Sequence, residues 1–167
     1  MNIFYLDENV NKCAEYHNDK HCVKMILEYA QLLCTAHWEL DVSNKVMNNP
    51  MGLYKPTHKN HPSAVWVRQS KKNYEYLYSL FNALCHEYSY RYGKIHLTYS
   101  KLHNVLATPP QNIPDKEFTQ PTPAMPDDVK NDDSIIAYRN YYNKYKQHLA
   151  KWTKREVPEW IKMNVMS

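Results

Sequence analysis

The chain has 167 residues, a mass of 20.0 kDa and a net charge of +4, enough for one domain with a sizeable core. Two glycines against fifteen tyrosines exclude a Gly-rich phosphate loop and argue against the many tight turns of a β-sandwich or barrel. No apolar run reaches the ~18 residues of a membrane span, and no basic-then-apolar leader precedes a cleavage site, so a protein of the cytoplasm without membrane contact is expected.

The opening NIFYL is a short apolar run, a strand or a buried N-terminal arm. The periodicity then predicts one long helix from Val10 to Glu39. On it His17, His21, Lys24, Glu28, Gln31 and Thr35 recur in alternating steps of four and three, a single polar stripe between apolar neighbours. A surface helix ordinarily shows the reverse proportions, which predicts burial on most sides. Cys13, Cys22, Cys34 and Cys85 form no CxxC pair and read as buried thiols.

A polar loop with Asn48, Asn49, Pro50 and Gly52 leads to a second helix. Pro62 suits its first turn, where a missing N–H costs nothing. Trp66, Tyr74, Leu77, Leu80, Phe81, Leu84 and Tyr88 keep helical spacing up to Gly93, a C-terminal cap. A shorter helix spans Tyr99 to Leu106. Residues 108–133 hold six prolines within eighteen positions, which no helix or interior strand accommodates. The segment is then a disordered linker or an extended strap laid across the surface, and Phe118 and Met125, as apolar anchors, favour the strap. It is also acidic, with six carboxylates against two lysines from 115 to 133. Asp133 or Ser134 then caps a basic, aromatic helix over 134–155. Together these elements predict an all-α fold: a compact single-domain helical bundle over 1–167 with a Pro-rich extended strap.

Three constellations carry chemistry. His17 and His21 at i and i+4 have the spacing of a metal pair, but no glutamate lies between them and Lys24 would share their face, so no metal and no cofactor are expected. The stripe is then a buried hydrogen-bond network or a face for an anionic, base-containing ligand. Second, His58, His61, Trp66 and Arg68 surround a helix start that favours phosphate; Trp66 is a base-stacking platform or a core residue. Third, Arg139, Lys144, Lys146, Lys151, Lys154 and Arg155 interleave with Tyr141, Tyr142, Tyr145 and Trp152. Phosphate pairing with base stacking holds nucleic acid in this way; inward-packing tyrosines are the alternative.

The stretches "AEYHNDKHCVKM", "HPSAVWVRQSKKNYEYL", "EYSYRYGK" and "YYNKYK" resemble the phage pyrimidine-dimer DNA glycosylases of the endonuclease V type, over roughly residues 1–95 plus the last helix. The chain also resembles uncharacterised phage-encoded proteins. The glycosylase resemblance implies an all-α fold and N-glycosidic bond cleavage in DNA repair. There an N-terminal α-amine attacks the sugar carbon as the base leaves, forming a Schiff base, and a carboxylate on the first helix assists. Such an amine, with a pKa of ~7.7–8.0, is partly free near neutral pH. Here Asn2 disfavours removal of Met1, so the family's small N-terminal nucleophile is not expected. Its catalytic glutamate aligns near Asn18, with Asp19 beside it.

The expected acid/base residues are therefore Glu28, Asp19 and His21. The expected ligand contacts are His17, Lys24, Gln31, His58, His61, Trp66, Arg68, Arg139, Tyr142, Lys144 and Lys151. The partner is DNA or a small phosphorylated nucleotide, with homo-oligomerisation left open. In the alternative function the same cleft performs no chemistry and sequesters a host-defence signalling nucleotide inside the host cell, an anti-defence sponge.

Overall fold

The computed structural model describes residues 1–41 and 44–162. Among the described residues the regular structure is entirely helical: α1 (Val10–Tyr16), α2 (Asp19–Leu40), α3 (Asn44–Met47), α4 (Pro62–Gln69), α5 (Lys71–Tyr92), α6 (Leu97–Leu106) and α7 (Ser134–Tyr145), with single 3₁₀ turns at Asp127–Val129 and Gln147–Leu149. The two 22-residue helices, α2 and α5, pack along each other, α2 also against α4 and α6, and α5 against α1. Their shared core is built from Ile26, Tyr29, Leu32, Leu33, Tyr74, Leu77, Phe81 and Leu84, all fully buried. Among the described residues no helix is long and apolar enough to cross a membrane. NIFYL is a buried arm in extended conformation, with Ile3 to Leu6 inside the core.

Three predicted helices are shorter than their periodicity. The first breaks at His17–Asn18. Asn18 turns its side chain back to accept from the His21 amide, an N-cap. The Asp19 amide donates 2.8 Å to the Lys151 carbonyl, a partner far along the chain. The second breaks at Ser70, extended at φ −150° and ψ 149°, whose hydroxyl caps α5 by accepting from Asn73. There the Lys71 amide donates to the carbonyl of Pro114 in the strap. The last helix stops at Tyr145 rather than 155, and residues 146–162 return as a turn and irregular chain.

The expected caps are present. Gly93 takes the left-handed conformation, φ 69°, that ends α5, and Asp133 accepts from two amides of α7. The strap lies along the body as a bound segment. Thr119 accepts from Trp66 Nε1 and pairs with Asn73, while Phe118 packs against Tyr5, Trp66 and Tyr76.

Candidate active site

Splitting the first helix splits the polar stripe. Its upper part turns inward. His17 is fully buried, with Nδ1 2.7 Å from the Cys13 carbonyl and Nε2 2.7 Å from the Tyr29 hydroxyl. A carbonyl only accepts, so the proton sits on Nδ1 and the Tyr29 O–H donates to Nε2. The same hydroxyl accepts from the Phe4 amide at 3.1 Å. His21 Nδ1 meets the Tyr142 hydroxyl at 2.7 Å, and its ring stacks on Phe4 at 4.2 Å. Burial pushes the His17 pKa down to about 4 and that of His21 to about 2, where repulsion from His17, Lys146, Lys24 and Lys20 adds to it. Both imidazoles are neutral near pH 7 and tie the N-terminal arm to α2 and α7. Thr35, farther down, is buried and exchanges hydrogen bonds with the Thr57 backbone.

The lower part of the stripe meets the head of the chain. The Met1 α-amine lies 3.7 Å from Glu28 Oε1, and Lys24 Nζ lies 3.6 Å from Glu28 Oε2. The Glu28 side chain is 15% exposed and that of Lys24 61%. Glu28 Oε2 is covered, with no hydrogen-bond partner among the described residues, so this carboxylate keeps accepting capacity beside two cations. His61, at the start of α4, accepts from Ser63 through Nδ1. Partial burial lowers its pKa, and the Met1 ammonium and His58 lower it further. Gln31 lies on the same α2 face, one turn beyond Leu27 and half-buried. The structure thus brings Glu28 and His61 towards one amine, with Lys24 beside Glu28 and His58 beside His61.

The other expected residues lie elsewhere. Asp19 is held by Arg91 at 3.1 Å and by the amide and hydroxyl of Thr153. Burial alone would raise its pKa; the Thr153 hydrogen bonds and the Arg91 charge outweigh that and hold it below the usual carboxylate range. Trp66 is 1% exposed, with its N–H spent on Thr119, so no face of it is open to a base. Arg68 reaches back to the Lys59 carbonyl. Arg139 binds the Leu6 carbonyl and Asp7 and stacks over Trp160. Tyr142 belongs to the His21 network, and Lys144 pairs with Asp128 of the strap. Lys151 is exposed.

Two features escaped sequence reasoning. The first is Met1: no local pattern shows where an extended arm ends, and the Asn2 argument had set its amine aside. The second is the Glu87–Arg91 pair, both nearly buried, which joins Arg155, Asp19 and the Glu15 carbonyl into one clamp. Spacing at i,i+4 within "EYSYR" signals such a pair.

The family described as pyrimidine dimer DNA glycosylase matches residues 1–100, the stretch from the Met1 amine to the first turn of α6. The chain belongs to the pyrimidine dimer DNA glycosylase family. No curated protein and no solved structure matches it. The matched region holds α1 to α5 entire, and with them the Met1–Glu28 pair and the His17–Tyr29 network. The strap, α7 and the returning C-terminal segment lie outside it.

Proposed function

We propose that this protein is a DNA N-glycosylase of the pyrimidine-dimer type, with the Met1 α-amine as nucleophile and Glu28 as its acid/base partner. The observation that carries the reading is the 3.7 Å approach of that amine to a largely covered carboxylate within a chain of this family. Glu28 accepts a proton from the ammonium and frees the lone pair. The nitrogen attacks C1′ of the damaged nucleotide while the C1′–base bond breaks and its electron pair leaves with the base. Of the two protons the nitrogen then gives up, one neutralises the base and the other the ring oxygen as the sugar opens, leaving an imine between Met1 and C1′. Water restores the amine and an aldehyde. Lys24 lies beside the carboxylate, 3.6 Å from its second oxygen.

Sequestration of a small nucleotide draws no support from this site, because His17 and His21, on which that reading leaned, are neutral and enclosed. The experiment is base release from ultraviolet-irradiated duplex DNA by the wild type and by Glu28→Gln. Release by the wild type, with at least a hundredfold slower release by the variant, supports the assignment. Equal rates overturn the role of Glu28, and no release by either overturns the glycosylase reading.

A further inference from the structure

The exposed face of α2 carries aliphatic side chains next to its lysines. Val23 and Leu27 are 42% and 40% exposed at i and i+4, between exposed Lys20 and Lys24. The turn into α6 continues the surface. His96 hydrogen-bonds the Val23 backbone, and its neighbours Ile95 and Leu97 are 67% and 65% exposed, preceded by exposed Lys94. A lone exposed aliphatic needs no explanation, but four side by side and framed by lysines do.

Resting on the glycosylase reading, we propose that Val23, Leu27, Ile95 and Leu97 form a wedge that enters duplex DNA near the lesion and unstacks a base step flanking it. Val23 and Glu28 are ~7.5 Å apart along the helix axis and ~140° apart around it, so a duplex laid over the exposed face of α2 meets Glu28 at one edge and the wedge at the other. An enzyme acting on a base within a duplex must take it out of the stack, and aliphatic side chains inserted between steps supply that opening. Lys20, Lys24 and Lys94 match the phosphates on either side. The same lysines disfavour a second copy on this face, because a two-fold contact through α2 sets like charges against one another.

The test uses a duplex carrying a thymine dimer with 2-aminopurine beside it, and the matching single strand. The wild type is expected to raise 2-aminopurine fluorescence on binding the duplex. Val23→Ser/Leu27→Ser, and separately Ile95→Ser/Leu97→Ser, are expected to lose most of that rise and to bind the duplex at least tenfold more weakly, with single-strand binding within twofold of wild type. Circular dichroism of each variant confirms folding, which these exposed positions do not support. A wild type that binds without a fluorescence rise, or that binds no DNA, overturns the wedge, as do variants that keep the full rise. Base release measured on the same samples separates the two ideas: fluorescence without release leaves the wedge standing and removes the glycosylase reading.

Discussion

Replacing Tyr29 with Phe probes the device that holds the N-terminal arm. The Tyr29 hydroxyl, in a fully buried side chain, accepts from the Phe4 amide at 3.1 Å and donates to His17 Nε2 at 2.7 Å. The variant leaves both groups enclosed without a partner, at about 1–3 kcal/mol each. It also no longer buries a hydroxyl, so the expected loss is roughly 2–4 kcal/mol. For a chain of this size that lowers Tm by roughly 5–15 °C. Urea unfolding should show a lower midpoint with an unchanged slope. A double-mutant cycle with His17→Leu should give a coupling of at least ~1 kcal/mol, because the two changes remove one shared hydrogen bond. The arm carries the Met1 amine, so base release should fall more than substrate binding. A Tyr29→Phe protein within ~0.5 kcal/mol of wild type, with unaltered base release, would mean that this hydroxyl does not hold the arm.

Stability should also decline as pH falls below about 6.5. His17 and His21 stay neutral in the folded chain while their unfolded counterparts take up protons, so folding weakens by roughly 2 kcal/mol per histidine between pH 6.5 and 5. The loss should be complete for His17 near pH 4, and a flat stability profile over pH 4–7 would contradict it. Arg91→Ala should destabilise by about 1.5–3 kcal/mol, since Glu87 and Asp19 lose a buried charged donor but keep Arg155 and Thr153; chemical denaturation measures this directly. Lys20→Ala/Lys94→Ala, two exposed lysines, should flatten the log–log salt dependence of DNA binding by about two units. Lys144→Ala/Arg155→Ala should change it by less than one, because Asp128, Glu15 and Glu87 already neutralise those cations.

The helical class was legible from glycine scarcity and from apolar spacing, and the caps at Asp133 and Gly93 were legible as residue types. The breaks at Asn18 and Ser70 carried a readable signal too, since each is a preferred N-cap. Within a continuous apolar pattern, however, that signal competes with periodicity. What decides against periodicity is the Lys151 and Pro114 carbonyls, which stand 132 and 43 positions away and take up the freed amides. The same limit governs the site. Glu28 was legible on the stripe, whereas its nearness to Met1 depends on how the arm threads between α2 and α7. Interleaved bases and aromatics over 139–155 looked like a DNA-binding helix. There Arg139, Lys144 and Arg155 find acids from the arm, the strap, α1 and α5, pairings that no local window displays.

In the proposed mechanism the Met1 amine bonds to the sugar during base removal. Wild-type protein mixed with dimer-containing duplex and sodium borohydride should yield a covalent complex, since reduction converts the imine to a stable amine. Proteolysis and mass spectrometry should locate the sugar on the peptide beginning at Met1, and a chain with one extra residue ahead of Met1 should trap far less. Attachment at a lysine side chain, or no covalent complex from protein that releases the base, would contradict it.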